Sequence, residues 1–358
     1  MKYALVGCGR VSPKHIKAAV ENGFEIVGVC DVDNRHIDDM FCRTEVEVDK
    51  NIRRYESFCE MYDSEKPELV SIALPSGLHA RAAIEAITRG INVIIEKPIA
   101  MSIKDADEII ALAEKHKVKV SACHQNRFNI AVQEMRNALE DGKFGRLSNG
   151  AVTVRWSRGE DYYKQADWRG KFASDGGTLM NQCIHGIDLL RWMCGDKLKR
   201  VYGATRRQYH PYIEAEDVGT AVFEFENGVI ATVEGTVNVP GGNLEEHLTL
   251  IGENGVVKLG GKSANTVDVW QFLSEAEGSK GGLQESTSDV YGNGHTSLFR
   301  DVYEAIRDDR APYVDATAGR NALEAVLAIY KSAKEGVPVT LPLEDCAGID
   351  FEDMFKND

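Results

Sequence analysis

Short apolar runs alternate with helix-patterned segments over the first 125 residues, and few folds accept that alternation. The runs "KYALVGCG", "EIVGVCD", "LVSIAL", "NVIIEKP" and "KVSACHQ" are β-branched and nearly continuous in hydrophobicity. Strands buried on both faces of a parallel sheet read this way, because each side must meet apolar neighbours. Between them lie "PKHIKAAVEN", "LHARAAIEAITRG" and "IKDADEIIALAEKHK", with apolar residues at helical spacing. The expectation is a right-handed, doubly wound α/β sheet over residues 1–125. Beyond 125 the pattern changes. "DVGTAVFEFENGVIATVEGTVNV" holds two alternating segments joined through Asn227-Gly228, and "EEHLTLIGENGVVKLGG" repeats the device at Asn254-Gly255. Such dipeptides favour the turns of β-hairpins, so a mainly antiparallel sheet is expected within an α+β domain over 126–358. Helices are expected near 296–308 and 316–335, with Gly336 as a C-terminal cap. At 358 residues, two cores are the default.

The net charge of −14 argues against a nucleic-acid or anionic-membrane surface, yet leaves room for a small anion held by a few arginines. "MKYALVGCGR" enters a strand at once, without the basic and apolar regions of a signal peptide. No apolar stretch approaches the roughly 18 residues of a membrane span. A soluble cytoplasmic protein is therefore expected. The eight cysteines form no C-x-x-C pair and sit mostly among apolar neighbours, so buried reduced thiols are expected and no metal site.

"GCGRVS", residues 7–12, follows the first strand and opens a helix. Gly7 permits a tight turn, Gly9 lets a pyrophosphate approach the backbone, and the helix start through Arg10 and Val11 offers N–H donors. Ser12 stands where the third glycine of G-x-G-x-x-G would be. Asp31 ends the second strand, 22 residues after Gly9, placed to accept ribose hydroxyls and to repel a 2′-phosphate. This order of strand, turn, helix and acid predicts a Rossmann domain binding NAD rather than NADP.

"VIIEKPIA" places Lys97 at the end of a buried strand, where open α/β sheets gather ligands. A lysine there needs a task or a partner, and Glu96 is its neighbour. Pro75, Ser76 and His79 of "PSGLH" end the preceding strand and join Glu96 and Lys97 as expected cofactor contacts. His79 could equally be a helix-start hydrogen bonder. In "DGGTLMNQCIHGID", positions 181, 185 and 188 fall within roughly 60° of one another if the segment is one helix. Met180, Ile184 and Ile187 form a separate apolar stripe. Asn181, His185 and Asp188 therefore stand off the core face, and the imidazole suits proton transfer near neutrality.

Together, "GCGRVS", "PSGLH", "EKP" and "GGTLMNQCIHGID" resemble the glucose–fructose oxidoreductase/inositol dehydrogenase family over nearly the whole chain. The resemblance implies a Rossmann domain followed by an open-faced antiparallel sheet that makes an oligomer interface, with a tetramer favoured over a dimer. It implies Lys97 and His185 as catalytic pair, and a cis peptide before Pro98. Asn181 stands where many relatives, inositol dehydrogenases included, have Asp. "MNQ…H", with "HQNRFN", "EDYYKQADWRGKF" and "EAEDVG", is similar to the branch acting on UDP-N-acetylglucosaminuronic acid as a 3-dehydrogenase. His185 would then remove the 3-hydroxyl proton while Lys97 steadies the oxygen and Asn181 orients it. Desolvation could instead make Lys97 the base. Asn126, Arg127, Arg158, Tyr162 and Tyr163 are expected at the substrate, and Trp168 and Arg169 at NAD. Some relatives recycle NADH with 2-oxoglutarate. Two rivals are a dehydrogenase of a free sugar or polyol such as inositol, and a non-catalytic NAD-sensing regulator.

Overall fold

Six of the strands form one parallel sheet, and its C-terminal edge carries the nucleotide motif. In this computed structural model, which describes residues 1–49, 51–195, 197–274 and 292–356, the chain begins β1 (Lys2–Val6), α1 (Ser12–Glu21), β2 (Glu25–Cys30), α2 (Asn34–Arg43), β3 (Arg53–Tyr55) and α3 (Phe58–Glu65). It continues β4 (Leu69–Ile72), α4 (His79–Ile87), β5 (Asn92–Ile95), α5 (Ile103–His116) and β6 (Val120–Ala122). The strand order is β3-β2-β1-β4-β5-β6, all parallel. β4 is buried at every position and β5 at its last three, as strands covered on both faces must be. The local rules hold in α5: the Ser102 side chain accepts from Asp105 N, and Lys117 closes the helix with a positive φ of 58°. β3 escapes the apolar pattern because its "RRY" is polar and partly exposed.

The chain divides into two units, residues 1–124 with 294–320 and residues 125–293 with 321–358. Within this division α10 (Gly294–Arg307) groups with the first unit and packs on α1. The cause is aromatic: the Phe299 ring lies 5.8 Å from that of Tyr3 and 6.3 Å from that of Phe24. Asn22 Nδ2 also donates to Thr296 O at 3.0 Å.

The second unit contains α6 (Ile130–Glu140), β7 (Leu147–Arg155), α7 (Glu160–Tyr163), α8 (Thr178–Asn181), α9 (Ile184–Cys194) and β8 (Leu198–Arg206). There follow β9 (Val218–Phe225), β10 (Ile230–Thr236), β11 (Glu245–Gly252), β12 (Gly255–Gly260) and β13 (Thr266–Phe272). The part of the long α11 (Ala316–Glu335) from residue 321 on, with β14 (Val339–Thr340), closes it. Its sheet runs β13-β12-β11-β7-β10-β9-β8-β14, antiparallel except for the β7–β10 pair. Both expected hairpins form, β9–β10 around Asn227-Gly228 and β11–β12 around Asn254-Gly255. Burial alternates along β9 and β10, leaving one face covered and one freer. α9 lies on the covered face against β7, β10 and β11. Its approach is close: a Cβ on Gly186 would come 2.7 Å from the Val152 side chain, and one on Gly235 would come 2.5 Å from Cys183 Sγ. No described helix is long and apolar enough to cross a membrane.

Phe299→Ala removes the ring that ties α10 to the sheet of the first unit. The expected loss is about 3–5 kcal/mol of unfolding free energy, read from urea denaturation. A loss below about 1 kcal/mol would mean that α10 is not part of this core.

Candidate active site

The turn after β1 is shaped for close approach. Gly7 has a φ of +90°, and a Cβ there would sit 2.5 Å from Ala73 O. Gly9 has open space where its Cβ would be, and Arg10 beside it is exposed. Val11 precedes the first turn of α1, where Ser12 Oγ donates to Gly9 O at 2.6 Å and so replaces the third glycine with a hydroxyl latch. Asp31 is tied to the same turn, its Oδ2 accepting Cys8 N at 2.9 Å. Its Oδ1 accepts Asp33 N at 3.0 Å and lies 3.0 Å from His36 Nδ1. A bare backbone turn, a helix start and a fixed carboxylate are what a dinucleotide requires, so these residues fit NAD.

Two strands along, the Lys97–Pro98 peptide is cis, as the resemblance implies. Pro75 and Ser76 open a single 3-10 turn after β4. His79 does not face outward: it is fully buried, with Nδ1 2.7 Å from Pro98 O and Nε2 2.8 Å from Leu74 O. It latches the "PSGLH" loop to the Lys97–Pro98 turn, and burial lowers its basicity despite those two carbonyls. Of its two expected roles, the structural hydrogen bonder is the one its position supports. Lys97 is half-buried, and its backbone N–H donates to Glu96 Oε2 at 3.2 Å.

In the second unit, the "DGGTLMNQCIHGID" segment is not one helix. Thr178 O accepts from both Gln182 N and Cys183 N at 2.9 Å, and the helix restarts at Ile184. Asn181 therefore ends α8 while His185 stands in the first turn of α9. The Asn181 amide donates to the buried Asp175, whose Oδ2 accepts Gly170 N at 2.7 Å. Gln182 Nε2 bridges from Asn181 Oδ1, 3.0 Å away, to Tyr162 OH at 3.3 Å.

From Tyr162 the chain builds an alternating stack of rings and guanidiniums. Arg169 lies 4.3 Å from the Tyr162 ring and 4.6 Å from that of Trp168. Arg158 lies 5.3 Å from Tyr162 and 5.1 Å from Trp156. Arg169 Nη1 donates to Tyr162 OH at 2.6 Å, and Arg158 Nη1 to Asn243 Oδ1 at 2.8 Å. Two positive charges thus stand beside the amides that precede His185. Tyr163, expected at the substrate, is buried against Tyr162, His210 and Tyr212, and burial pushes its hydroxyl pKa up. Arg127, likewise expected there, is a buried partner of Asp188 at 2.6 and 2.8 Å and lies over the Trp192 ring. Asn126 is buried in the turn beside it.

Comparison with known proteins gives these motifs a lineage. Residues 1–124 match an oxidoreductase family with an NAD-binding Rossmann fold, and residues 132–258 match the GFO/IDH/MocA C-terminal domain. The WlbA dehydrogenase of Bordetella pertussis, solved with NADH and UDP-GlcNAcA, is 33% identical. The match covers 96% of this chain and 99% of that one, with a TM-score of 0.84. The chain belongs to the Gfo/Idh/MocA family. The Chromobacterium violaceum WlbA dehydrogenase, solved with the same two ligands, is also 33% identical, with a TM-score of 0.85 over 96% of each chain. The D-apiose dehydrogenase of Paraburkholderia graminis is 30% identical over 65% of this chain, which spans 60% of the length of that curated relative.

As a Gfo/Idh/MocA protein, the chain has an NAD-binding Rossmann domain as its first unit. Sequence reasoning missed several residues that shape the site. Asp175 and Gln182 lay inside a quoted motif but carried no spacing signal. Asn243 and Glu216 are remote in sequence from what they hold. Glu216 is fully buried, with Oε1 accepting Leu179 N at 2.8 Å and Tyr330 OH at 3.0 Å, so it fixes the start of α8.

Burial pushes the Glu216 carboxyl up to about 8, and backbone and Tyr330 hydrogen bonds only partly oppose this. Glu246 is pushed up to about 8 by burial as well. Both are protonated in the folded chain at pH 6 and ionised when it unfolds. Their contribution to stability is full below the ordinary carboxylate range and is lost as pH rises towards about 8. Unfolding free energy should fall between pH 5 and 8, and Glu216→Gln should flatten that fall. Parallel curves for the two proteins would show that Glu216 is ionised in the folded state.

Proposed function

We propose that this protein is an NAD-dependent dehydrogenase that oxidises the 3-hydroxyl of a nucleotide-linked sugar, UDP-N-acetylglucosaminuronic acid. The observation that carries this reading is the pair of guanidiniums, Arg158 and Arg169, each packed on the Tyr162 ring, which links through Gln182 to Asn181. Arg169, expected at NAD, belongs in this reading with Arg158 to the substrate's anion site. A free polyol offers nothing to match two fixed positive charges. A uronate or a diphosphate does, because a guanidinium binds two oxygens at once. The likeness to two WlbA dehydrogenases solved with NADH and UDP-GlcNAcA supports the same substrate class.

The roles follow from side-chain chemistry. NAD, when bound, accepts the hydride that leaves the sugar carbon. The His185 imidazole takes the hydroxyl proton, Lys97 stabilises the negative charge that develops on the oxygen, and the Asn181 amide orients the hydroxyl. The product has lost two hydrogens and carries a 3-keto group. In this reading the protein is cytoplasmic and a homo-oligomer, a tetramer favoured over a dimer, and the keto sugar serves surface polysaccharide synthesis.

Purified protein incubated with UDP-N-acetylglucosaminuronic acid, NAD and 2-oxoglutarate should convert the nucleotide sugar to a species two mass units lighter, read by mass spectrometry. His185→Ala should lower kcat by about 100- to 10,000-fold with NAD affinity unchanged. An unaltered nucleotide sugar, with NAD reduced in the presence of a free pentose or inositol, would overturn the substrate assignment. An active His185→Ala enzyme would remove the imidazole from its role.

A further inference from the structure

Directly before Lys97, four side chains from separate elements of the first unit converge in the interior. His15 comes from α1, Glu96 from the end of β5, Cys123 from the end of β6 and His295 from α10. All four are buried, and one nitrogen, oxygen or sulfur atom from each lies within 4.8 Å of every other. Glu96 is the centre. Its Oε1 is 2.9 Å from His15 Nε2 and 3.8 Å from His295 Nε2, and its Oε2 accepts the Lys97 backbone N–H. The two imidazoles meet edge to face, 5.5 Å apart, and Phe299 closes the other side of His15. None of His15, Cys123 or His295 has a part in the reaction as described above.

A carboxylate taken out of water is stable as an anion only if donors surround it. Here burial opposes ionisation, but the His15 hydrogen bond and the nearby His295 imidazole hold Glu96 well below the usual carboxylate range. Cys123 stays a neutral thiol: burial and the Glu96 charge push it up, and its S–H faces the carboxylate. Burial likewise lowers the basicity of His295, against the opposing pull of the Glu96 carboxylate. His79, on α4, feels both Glu96 and Lys97. Lys97 is the next residue along the chain, and the Glu96 carboxylate holds its backbone N–H at 3.2 Å.

We propose that His15 and His295 are positioning residues that hold Glu96 as a buried counter-ion, and that this fixed negative charge keeps Lys97 an ammonium. Lys97 then stabilises developing negative charge and does not serve as the base. The inference rests on the proposed role of Lys97 at the substrate oxygen, but its test needs no substrate.

Trace acetylation of the purified full chain over a pH series, read lysine by lysine by mass spectrometry, gives the titration midpoint of Lys97. In the native protein it should lie at or above the ordinary lysine value of about 10.4. In Glu96→Gln it should fall by about one unit or more, with the other lysines unmoved as a check on folding. His15→Gln with His295→Gln should lower it in the same direction if Glu96→Gln does not fold. A native midpoint near 7, or one unchanged in all variants, would overturn the proposal. So would a stoichiometric divalent cation in the purified protein whose cobalt-substituted form shows a thiolate absorption band abolished by Cys123→Ser. A failure to oxidise the nucleotide sugar, with the Lys97 shift observed, would sink the substrate reading alone.

Discussion

A charged group buried at the end of an apolar element must be satisfied where it stands, and this requirement organises both units. In the first, Glu96 is buried just past the end of a strand, and imidazoles from α1 and α10 meet it there. The position of the Lys97–Pro98 turn depends on that contact and on His79, which reaches Pro98 O from the neighbouring loop. In the second unit, Arg127 and Asp188 form a bidentate pair almost wholly withdrawn from solvent. Breaking a pair of that kind by removing one member leaves an uncompensated charge, at roughly 3–5 kcal/mol. The pair fixes the face that α9 turns to the rest of its unit, and hence the setting of His185.

Glycine supplies the second half of this arrangement. α9 can lie flush on its sheet only because Gly186 and Gly235 present no Cβ at the contact. The same economy of side chains at Gly7 and Gly9 leaves the nucleotide turn bare. Rigid packing and polar anchoring thus act at the same points. A helix held at close range by glycines, and rotated into register by an ion pair, has little freedom to misplace the imidazole it carries.

What could be read from the sequence was local. Strands covered on both faces show as unbroken apolar runs, and β1, β2, β4, β5 and β6 fall where those runs lie. The two Asn-Gly turns specify their hairpins through the φ they require. Gly7, Gly9 and Asp31 were legible because order and spacing encode their geometry. The return of α10 was not legible, since Phe299 meets Tyr3 across nearly the whole chain and an amphipathic helix does not name its partner. The break after Asn181 was hidden because "TLMNQCIHGID" has unbroken helical periodicity. Arg127, Tyr163 and His79 have the residue types of ligand-binding groups, and only burial and partners show what holds them. The cluster around Glu96 draws on residues 15, 96, 123 and 295, and a rule based on spacing cannot assemble such a set.

Asn181 shows how a substitution at one position follows from a residue a few places away. Its amide donates to Asp175, a buried carboxylate already bonded to Gly170 N. An aspartate at 181 would set two carboxylates against each other in a site with little water, and one of them would have to take up a proton. With Asp175 in place, an amide is what position 181 demands, and its oxygen is drawn towards Gln182 and the Tyr162 stack. The loss of a carboxylate beside His185 is therefore bound up with the guanidinium pair. The same hydrogen-bond chain that settles an amide at the end of α8 ties that end, through Gln182 and Tyr162, to the Arg169 guanidinium.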